Sequence, residues 1–369
     1  MAHLNFSQPS ISEETIAAMA ETMRSGWIAS GARVLEFERA LSQTFGGRPT
    51  RTLTSATGAM ELALLACGIG PGDEVITSTQ SFFSTMNMIV KVGARPVFVD
   101  CDLVTRAIDL AQVEAAITPR TRAIVPTHFP GAVGDMDALY ALAHRHGLRV
   151  IEDAALVQGS AWQGRPIGSF GDIATFSFHP NKNMTTIEGG AIVVADEATA
   201  RKIEVLRFHG IERLADDTRD VTAASGKYNM SDVSAAIGLA QLAQLPGFLA
   251  HRQALAEHYF EVFPKIGDAV LPPRGVEGQS WNMFCVLLPY EGLGTTRQAF
   301  RAALRERGIA TGLSYEPSHL TSLGQSLGYR RGQFPNAERI GDETVTLPLH
   351  CGMGVADVER VCAAIREIL

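Results

Sequence analysis

The chain has 369 residues, long enough to bury a large core and to divide into two domains. Hydrophobic residues make up 46% and charged residues 19%, an ordinary globular composition, and a net charge of −7 with no basic run interleaved with aromatics argues against a nucleic-acid surface. No apolar run is expected to span a membrane, and the start lacks the basic-then-apolar pattern of a secretory signal. The cysteines Cys67, Cys101, Cys285, Cys351 and Cys362 are too scattered for a disulfide framework or a metal site, so reduced thiols in a cytoplasmic protein are expected.

Residues 10–24 open with Ser10 and Glu13 at capping-box spacing and read as a helix. Trp27 follows on a loop between Gly26 and Gly31, where it either lines a pocket or plugs a gap between domains. A helix over 33–45 and a strand over 51–54 come next. Ser55, Ala56, Thr57, Gly58 and Ala59 then turn into a helix whose apolar residues Met60, Ala63, Leu64 and Cys67 keep helical spacing. Such a turn exposes helix N–H groups that can take a phosphate; the alternative is plain capping by Ser55 or Thr57.

Between 73 and 151 strands (73–77, 96–100, 123–128, 148–151) alternate with helices (82–92, 111–116, 135–146). That alternation specifies an α/β domain with a largely parallel sheet, in which ligands collect at the carboxyl ends of the strands. Ser81, Phe82 and Thr85 follow one strand, His128 closes another, and Glu152 and Asp153 close a third. A carboxylate such as Asp153 at the end of an apolar strand needs a partner. A protonated pyridine nitrogen would serve; so would the N–H groups of 154–156 if Asp153 is a cap.

The stretch 173–178 reads as a buried strand, stopped by Pro180 and Asn181, with Lys182 on the turn. A lysine there is either solvated or, held rigidly and partly desolvated, suited to a Schiff base. An aldehyde-bearing pyridine phosphate needs a lysine, an acid for its ring nitrogen, donors for its phosphate and an aromatic for its ring. Lys182, Asp153, the set Ser55, Thr57 and Ser177, and Phe82 supply these in turn. A strand over 191–196, a helix over 198–207 and a charged surface loop over 211–229 follow. A helix from 231 continues past Pro246 to 263. The rest mixes strands (284–288, 344–347) with helices (297–307, 355–367), a smaller α+β domain. The expected division is 1–246 and 247–369.

The chain resembles the DegT/DnrJ/StrS sugar aminotransferases, pyridoxal 5'-phosphate (PLP) enzymes of fold type I, over nearly its whole length. The residues that carry the likeness are Gly26-Trp27-Ile28-Ala29-Ser30-Gly31, Ser55-Ala56-Thr57-Gly58-Ala59, 68–76, 94–100, Ile151-Glu152-Asp153-Ala154-Ala155, 168–172, 176–182, Glu188-Gly189-Gly190 and Leu347-Pro348-Leu349-His350. The resemblance implies Lys182 as the Schiff-base lysine, Asp153 as the pyridinium partner, Ser177 and the 55–59 turn as phosphate ligands, and Phe82 stacked on the ring with Thr85 nearby. It implies that Lys227 and Asn229 reach the neighbouring subunit's site, hence a homodimer with shared active sites. Trp27, Ser30, Tyr315 and His319 are expected at the substrate. The pieces 207–210 and 226–230 are similar to the branch that makes UDP-4-amino-4-deoxy-L-arabinose. The expected reaction takes an amino group from L-glutamate, leaving 2-oxoglutarate, to a UDP-4-keto sugar, for lipopolysaccharide, another cell-surface polysaccharide or a secondary-metabolite sugar. The chain departs from that branch at Ser314, Glu316 and a shorter 211–226 loop. Leu156 stands where the family has glutamine or histidine beside the cofactor's phenolic oxygen. Related sugar dehydratases carry histidine in place of the lysine, so Lys182 argues for transamination. A non-catalytic PLP-fold sensor or scaffold would bind PLP yet transfer no amine.

Overall fold

The computed structural model describes residues 3–369; Met1 and Ala2, on which the reading of the N-terminus partly rests, lie outside the described residues. Two helices come first, α1 (Glu13–Arg24) and α2 (Ala32–Thr44). The N-cap of α1 is Ser12 and not Ser10: Ser12 accepts the Thr15 N–H at 3.3 Å, while the Ser10 carbonyl takes the Gln241 side chain at 2.7 Å. Then β1 (Thr50–Leu53), α3 (Ala56–Ala66), β2 (Glu74–Ser78), α4 (Phe83–Lys91), β3 (Arg95–Val99), α5 (Leu110–Ala115), β4 (Thr121–Val125), α6 (Met136–His146) and β5 (Arg149–Asp153) alternate. β4 stops at Val125, short of the expected 128, because Pro126 has no N–H to continue a ladder. A hairpin of β6 (Ala161–Trp162) and β7 (Arg165–Pro166) precedes β8 (Ile173–Ser177) and β9 (Gly190–Val193).

The central sheet has seven strands in the order β1-β9-β8-β5-β4-β2-β3. The pairs from β3 through β2, β4 and β5 to β8 are parallel; β8–β9 and β9–β1 are antiparallel. β2, β8 and β9 are buried along their whole length, as strands covered on both faces must be. One face packs Leu62, Val125 and Ile151; the other packs Phe37, Phe176 and Phe178. Each such side chain contributes roughly 1.5–3 kcal/mol of burial. The fold is therefore the expected α/β class with a mostly parallel sheet.

After α7 (Glu197–Leu206) the stretch expected as a surface loop contains a hairpin, β10 (Ile211–Arg213) with β11 (Arg219–Val221). Its strands are short and mostly exposed, so no buried periodicity marks them; the turn is closed by Thr218 Oγ1 and N on Asp216 Oδ1. α8 (Asp232–Val262) then runs unbroken through Pro246. It contains an 18-residue window of mean hydropathy 1.4, long and apolar enough to cross a membrane by composition, contrary to the expectation from the sequence. In the fold it packs against α1 and α2, and against the last helix of the chain, Val355–Ile368. It also carries Asp232 and Arg252, both buried and hydrogen-bonded.

The remaining elements are β12 (Phe284–Leu287), α9 (Arg297–Glu306), a 3-10 turn (Ser318–Leu320), α10 (Ser322–Ser326), α11 (Pro335–Glu343), β13 (Thr344–Leu347) and α12 (Val355–Ile368). β12 and β13 pair antiparallel. They share a core of Tyr259, Trp281, Phe284 and Phe300 with the second half of α8, α9 and α12. Leu4 joins this core from the N-terminus. Asp100, beyond β3, receives the Asn336 and Ala337 N–H at the start of α11 and so ties this smaller α+β unit to the sheet.

Candidate active site

A cavity of about 230 Å³ opens at the carboxyl ends of the strands, lined among others by Lys182, Asp153, Ser177, Phe82, Tyr315 and the turn 55–57. Lys182 lies five residues beyond the end of β8 on a turn closed by its own N–H to the His179 carbonyl at 2.9 Å. Both neighbours are clamped: Asn282 Nδ2, from the smaller unit, donates to the Asn181 carbonyl and to Asn183 Oδ1, and Asn183 Nδ2 donates to the Ser280 carbonyl and to that of Gln158 behind β5. The backbone on either side of the lysine is thus fixed. Burial, partly offset by the attraction of Asp153, pulls the amine down from 10.5 to about 8. The nucleophile is the neutral amine, which gains population as pH rises. In the cofactor-free protein, uptake of pyridoxal phosphate should therefore accelerate with pH and reach half its maximum near 8. Following the visible absorbance across a pH series measures this; a midpoint near about 10.4, that of a free lysine, contradicts it.

Asp153 ends β5, and the two-residue period of a strand separates it from Glu152. Glu152 faces away, fully buried, and bonds His128 Nε2 at 2.9 Å and the Tyr140 hydroxyl at 2.6 Å. His128 and Glu152 therefore belong to a packing network and not to the cavity wall. Asp153 faces the cavity. Its Oδ2 accepts the Thr85 hydroxyl at 2.8 Å and its Oδ1 the Ala155 N–H at 3.3 Å. The capping alternative is present in the Ala155 contact, and the same carboxylate also lines the cavity.

Ser55 is the N-cap of α3 and accepts the Gly58 N–H at 3.0 Å, while its carbonyl takes the Ala59 N–H. Gly58 and Ala59 are committed to the helix. Ala56 and Thr57 fill its first two positions, whose N–H groups have no intrahelical partner, and both line the cavity. Gly190 lets β9 approach this turn: a Cβ there would lie 2.5 Å from the Ala56 nitrogen. Phe82, half exposed, meets Tyr315 edge-on with centroids 5.4 Å apart. Leu156 is buried against Phe129, Met283 and Cys285, with Tyr315 packed on them, and it too lines the cavity.

Other expected site residues lie elsewhere. Ser30 receives the Asn229 side-chain amide, Lys227 Nζ donates to Asn229 Oδ1 at 2.9 Å, and the Trp27 indole N–H reaches the Ser30 carbonyl at 3.4 Å. These residues make a separate cluster, in which Trp27 is 65% exposed. His319 is fully buried between Thr79 Oγ1 at 2.7 Å and Glu338 Oε1 at 3.1 Å, and the structure does not bring it to the cavity. Conversely Thr127, Thr175, His179, Asn181 and Glu188 line the cavity although the sequence reading gives them no role in a site. Position relative to strand ends and to Lys182 was the available signal: Thr127 lies two residues beyond β4, and the last three lie within six residues of Lys182.

The donor set fits a pyridine phosphate. A desolvated amine, a carboxylate and a helix N-terminus with adjacent hydroxyls face one space, and no cation in the cavity wall besides Lys182 competes for the carboxylate among the described residues. Comparison with known proteins agrees. A family model, the DegT/DnrJ/EryC1/StrS aminotransferase family, matches residues 9–366. The chain is 40% identical to the spore coat polysaccharide biosynthesis protein SpsC of Bacillus subtilis (strain 168), covering 99% of this chain and 97% of that one. Among solved structures it is similar to the putative sugar aminotransferase Spr1654 from Streptococcus pneumoniae in its PLP form, with 30% identity, a TM-score of 0.92 and 100% of each chain covered. DesI, solved in the presence of its TDP-sugar product, is 28% identical with a TM-score of 0.90, over 100% of this chain and 93% of that one. The chain belongs to the DegT/DnrJ/EryC1/StrS aminotransferase family and is a PLP-dependent sugar aminotransferase.

Proposed function

We propose that the protein moves an amino group from L-glutamate, released as 2-oxoglutarate, onto the keto carbon of a nucleotide-linked sugar. The acceptor we infer is a UDP-4-keto sugar, and the product a building block of a cell-surface polysaccharide. The observation that carries the reading is the single cavity shared by the Lys182 amine, the Asp153 carboxylate and the N-terminus of α3. SpsC is named for polysaccharide biosynthesis and DesI was solved with a TDP-sugar product, which supports a nucleotide sugar in such a route.

The bound cofactor would supply an aldehyde carbon and an electron-accepting ring. Lys182 would hold that aldehyde and, once displaced by the donor amine, serve as the base that takes the proton from the donor's Cα. Asp153 would keep the proton on the ring nitrogen. Ala56, Thr57 and Ser177 would bind the phosphate, and Phe82 would pack on the ring. The deciding experiment mixes the aminated cofactor form of the protein with a panel of UDP- and TDP-linked keto sugars and follows the visible absorbance. Its recovery with a UDP-4-keto sugar supports the reading. Recovery only with other sugars reassigns the acceptor, and none with any sugar favours a sensor or scaffold.

Lys227 and Asn229 sit outside their own chain's cavity wall, which supports a homodimer in which they complete the neighbour's site. Mixing an inactive Lys182→Ala protein with an inactive Asn229→Ala protein should restore part of the activity, because one mixed site carries neither lesion. No recovery after verified subunit exchange would place Asn229 outside the partner's site. The five cysteines are all free, which supports a cytoplasmic enzyme. We divide the chain functionally at 246/247.

Leu156 places an apolar side chain where a donor to the cofactor's phenolic oxygen is expected. Leu156→Gln should raise the pH at which the visible cofactor band converts by about one unit, because one charge-assisted hydrogen bond is worth about 1.4 kcal/mol. Superimposable titrations of the two proteins would make Leu156 a packing residue alone.

A further inference from the structure

The role assigned to Asp153 needs its carboxylate held in one orientation, and a row of hydroxyls behind it has no part in that assignment. Ser81 and Thr127 stand just beyond the ends of β2 and β4, Thr85 lies in the first turn of α4, and Asp153 ends β5. β2, β4 and β5 are consecutive neighbours in the sheet, so the row crosses its carboxyl edge. Thr127 Oγ1 donates to Ser81 Oγ at 2.9 Å, Ser81 Oγ to Thr85 Oγ1 at 3.0 Å, and Thr85 Oγ1 to Asp153 Oδ2 at 2.8 Å. All four side chains are buried, from 1% exposed at Ser81 and Thr85 to 7% at Asp153.

Proton counting gives the row a direction. An ionised carboxylate only accepts, so the Thr85 proton is committed to Asp153. The Thr85 oxygen is then free to accept from Ser81. The Ser81 proton lies between Thr85 Oγ1 and the more distant Phe82 carbonyl at 3.2 Å, so the Ser81 oxygen takes the Thr127 proton. We propose that Thr127, Ser81 and Thr85 are positioning residues that form a one-way hydroxyl chain. With the Ala155 N–H, that chain locks the Asp153 carboxylate in the orientation it presents to the cavity. The proposal rests on the reading of Asp153 as the partner of the cofactor's ring nitrogen. Hydrogen bonds in such a buried row polarise one another, so their effects should be coupled and not additive.

The test is the dissociation constant of pyridoxal phosphate from the cofactor-free protein, titrated by absorbance, in a set of double-mutant cycles. Thr85→Val should weaken binding about tenfold, the value of one charge-assisted hydrogen bond. Thr85→Ser, which keeps the hydroxyl, should stay within about twofold of wild type. Ser81→Ala should weaken binding about threefold through Thr85. In an Asp153→Ala background neither Thr85→Val nor Ser81→Ala should have any further effect, since the group they position is gone. Equal losses in both backgrounds would show independent packing roles and overturn the proposal, as would wild-type affinity in Thr85→Val. If Thr85→Val loses its fold, the Ser81→Ala cycle decides by the same criteria. Unaltered affinity in Asp153→Ala itself would overturn the reading of Asp153, a result distinct from failure of the chain alone.

Discussion

Lys182→Ala is expected to lose the visible absorption of the purified protein and to slow transamination by at least about 10³-fold, while still binding pyridoxal phosphate without a covalent link. The rate loss combines the nucleophile that holds the aldehyde with the base that moves a proton, and general acid–base catalysis alone is worth about 10²–10⁴-fold. Affinity should fall far less, because the α3 N-terminus, Ser177 and Asp153 are untouched. Stability should not fall either. The amine's burial is unfavourable to its charge, as its lowering to about 8 shows, so removing it relieves a cost, and Lys182 makes no ion pair with another side chain among the described residues. Lys182→Arg separates charge from nucleophilicity: guanidinium stays protonated and cannot form the bond. It should be as inactive as Lys182→Ala. Near-wild-type turnover in either variant would remove Lys182 from the chemistry.

Much of this site is legible in the sequence because the sheet is parallel and its ligands gather at strand ends. Lys182 after 173–178, Asp153 after an apolar strand and the small residues 55–57 before a helix all signal through local pattern, and the fold brings them to one cavity. What escapes is what depends on neighbours far away in sequence. The Ser81–Thr127 contact joins positions 46 residues apart, and neither Ser81 after its strand nor Thr127 within the expected strand 123–128 signals the other. The separation of Glu152 from Asp153 follows from strand period and was available. Its consequence, a carboxylate satisfied by His128 and Tyr140, required tertiary contacts. The β10–β11 hairpin is exposed and closed by aspartate turn chemistry, so no apolar alternation announces it. His319 illustrates the opposite case. A histidine matched to a family position gives no hint that Thr79 and Glu338 will occupy both ring nitrogens.

Asp153→Asn and Asp153→Ala should both fold and both lose turnover by about 10²–10³-fold, the scale of losing one group that stabilises the charge developing in the reaction. Folding survives because the carboxylate stands at a strand end, and the groups it leaves behind are the Thr85 hydroxyl and the Ala155 N–H. Leaving such groups unpaired costs about 1–3 kcal/mol each at most. The two variants should differ in affinity. Asn keeps the shape and can still hydrogen-bond a neutral ring nitrogen, so it should bind pyridoxal phosphate more tightly than Ala does, yet neither holds the ring proton that makes the cofactor an electron sink. A mild rate loss in Asp153→Asn with an unchanged spectrum would contradict this. A second readout needs no turnover. Burial lowers the Lys182 amine and Asp153 opposes that by attraction, so removing the negative charge should move the amine further below about 8. The midpoint of cofactor uptake against pH should therefore shift downward in both variants. An unmoved midpoint would mean that the carboxylate and the amine do not act on each other across the cavity, and the shared site would lose its electrostatic support.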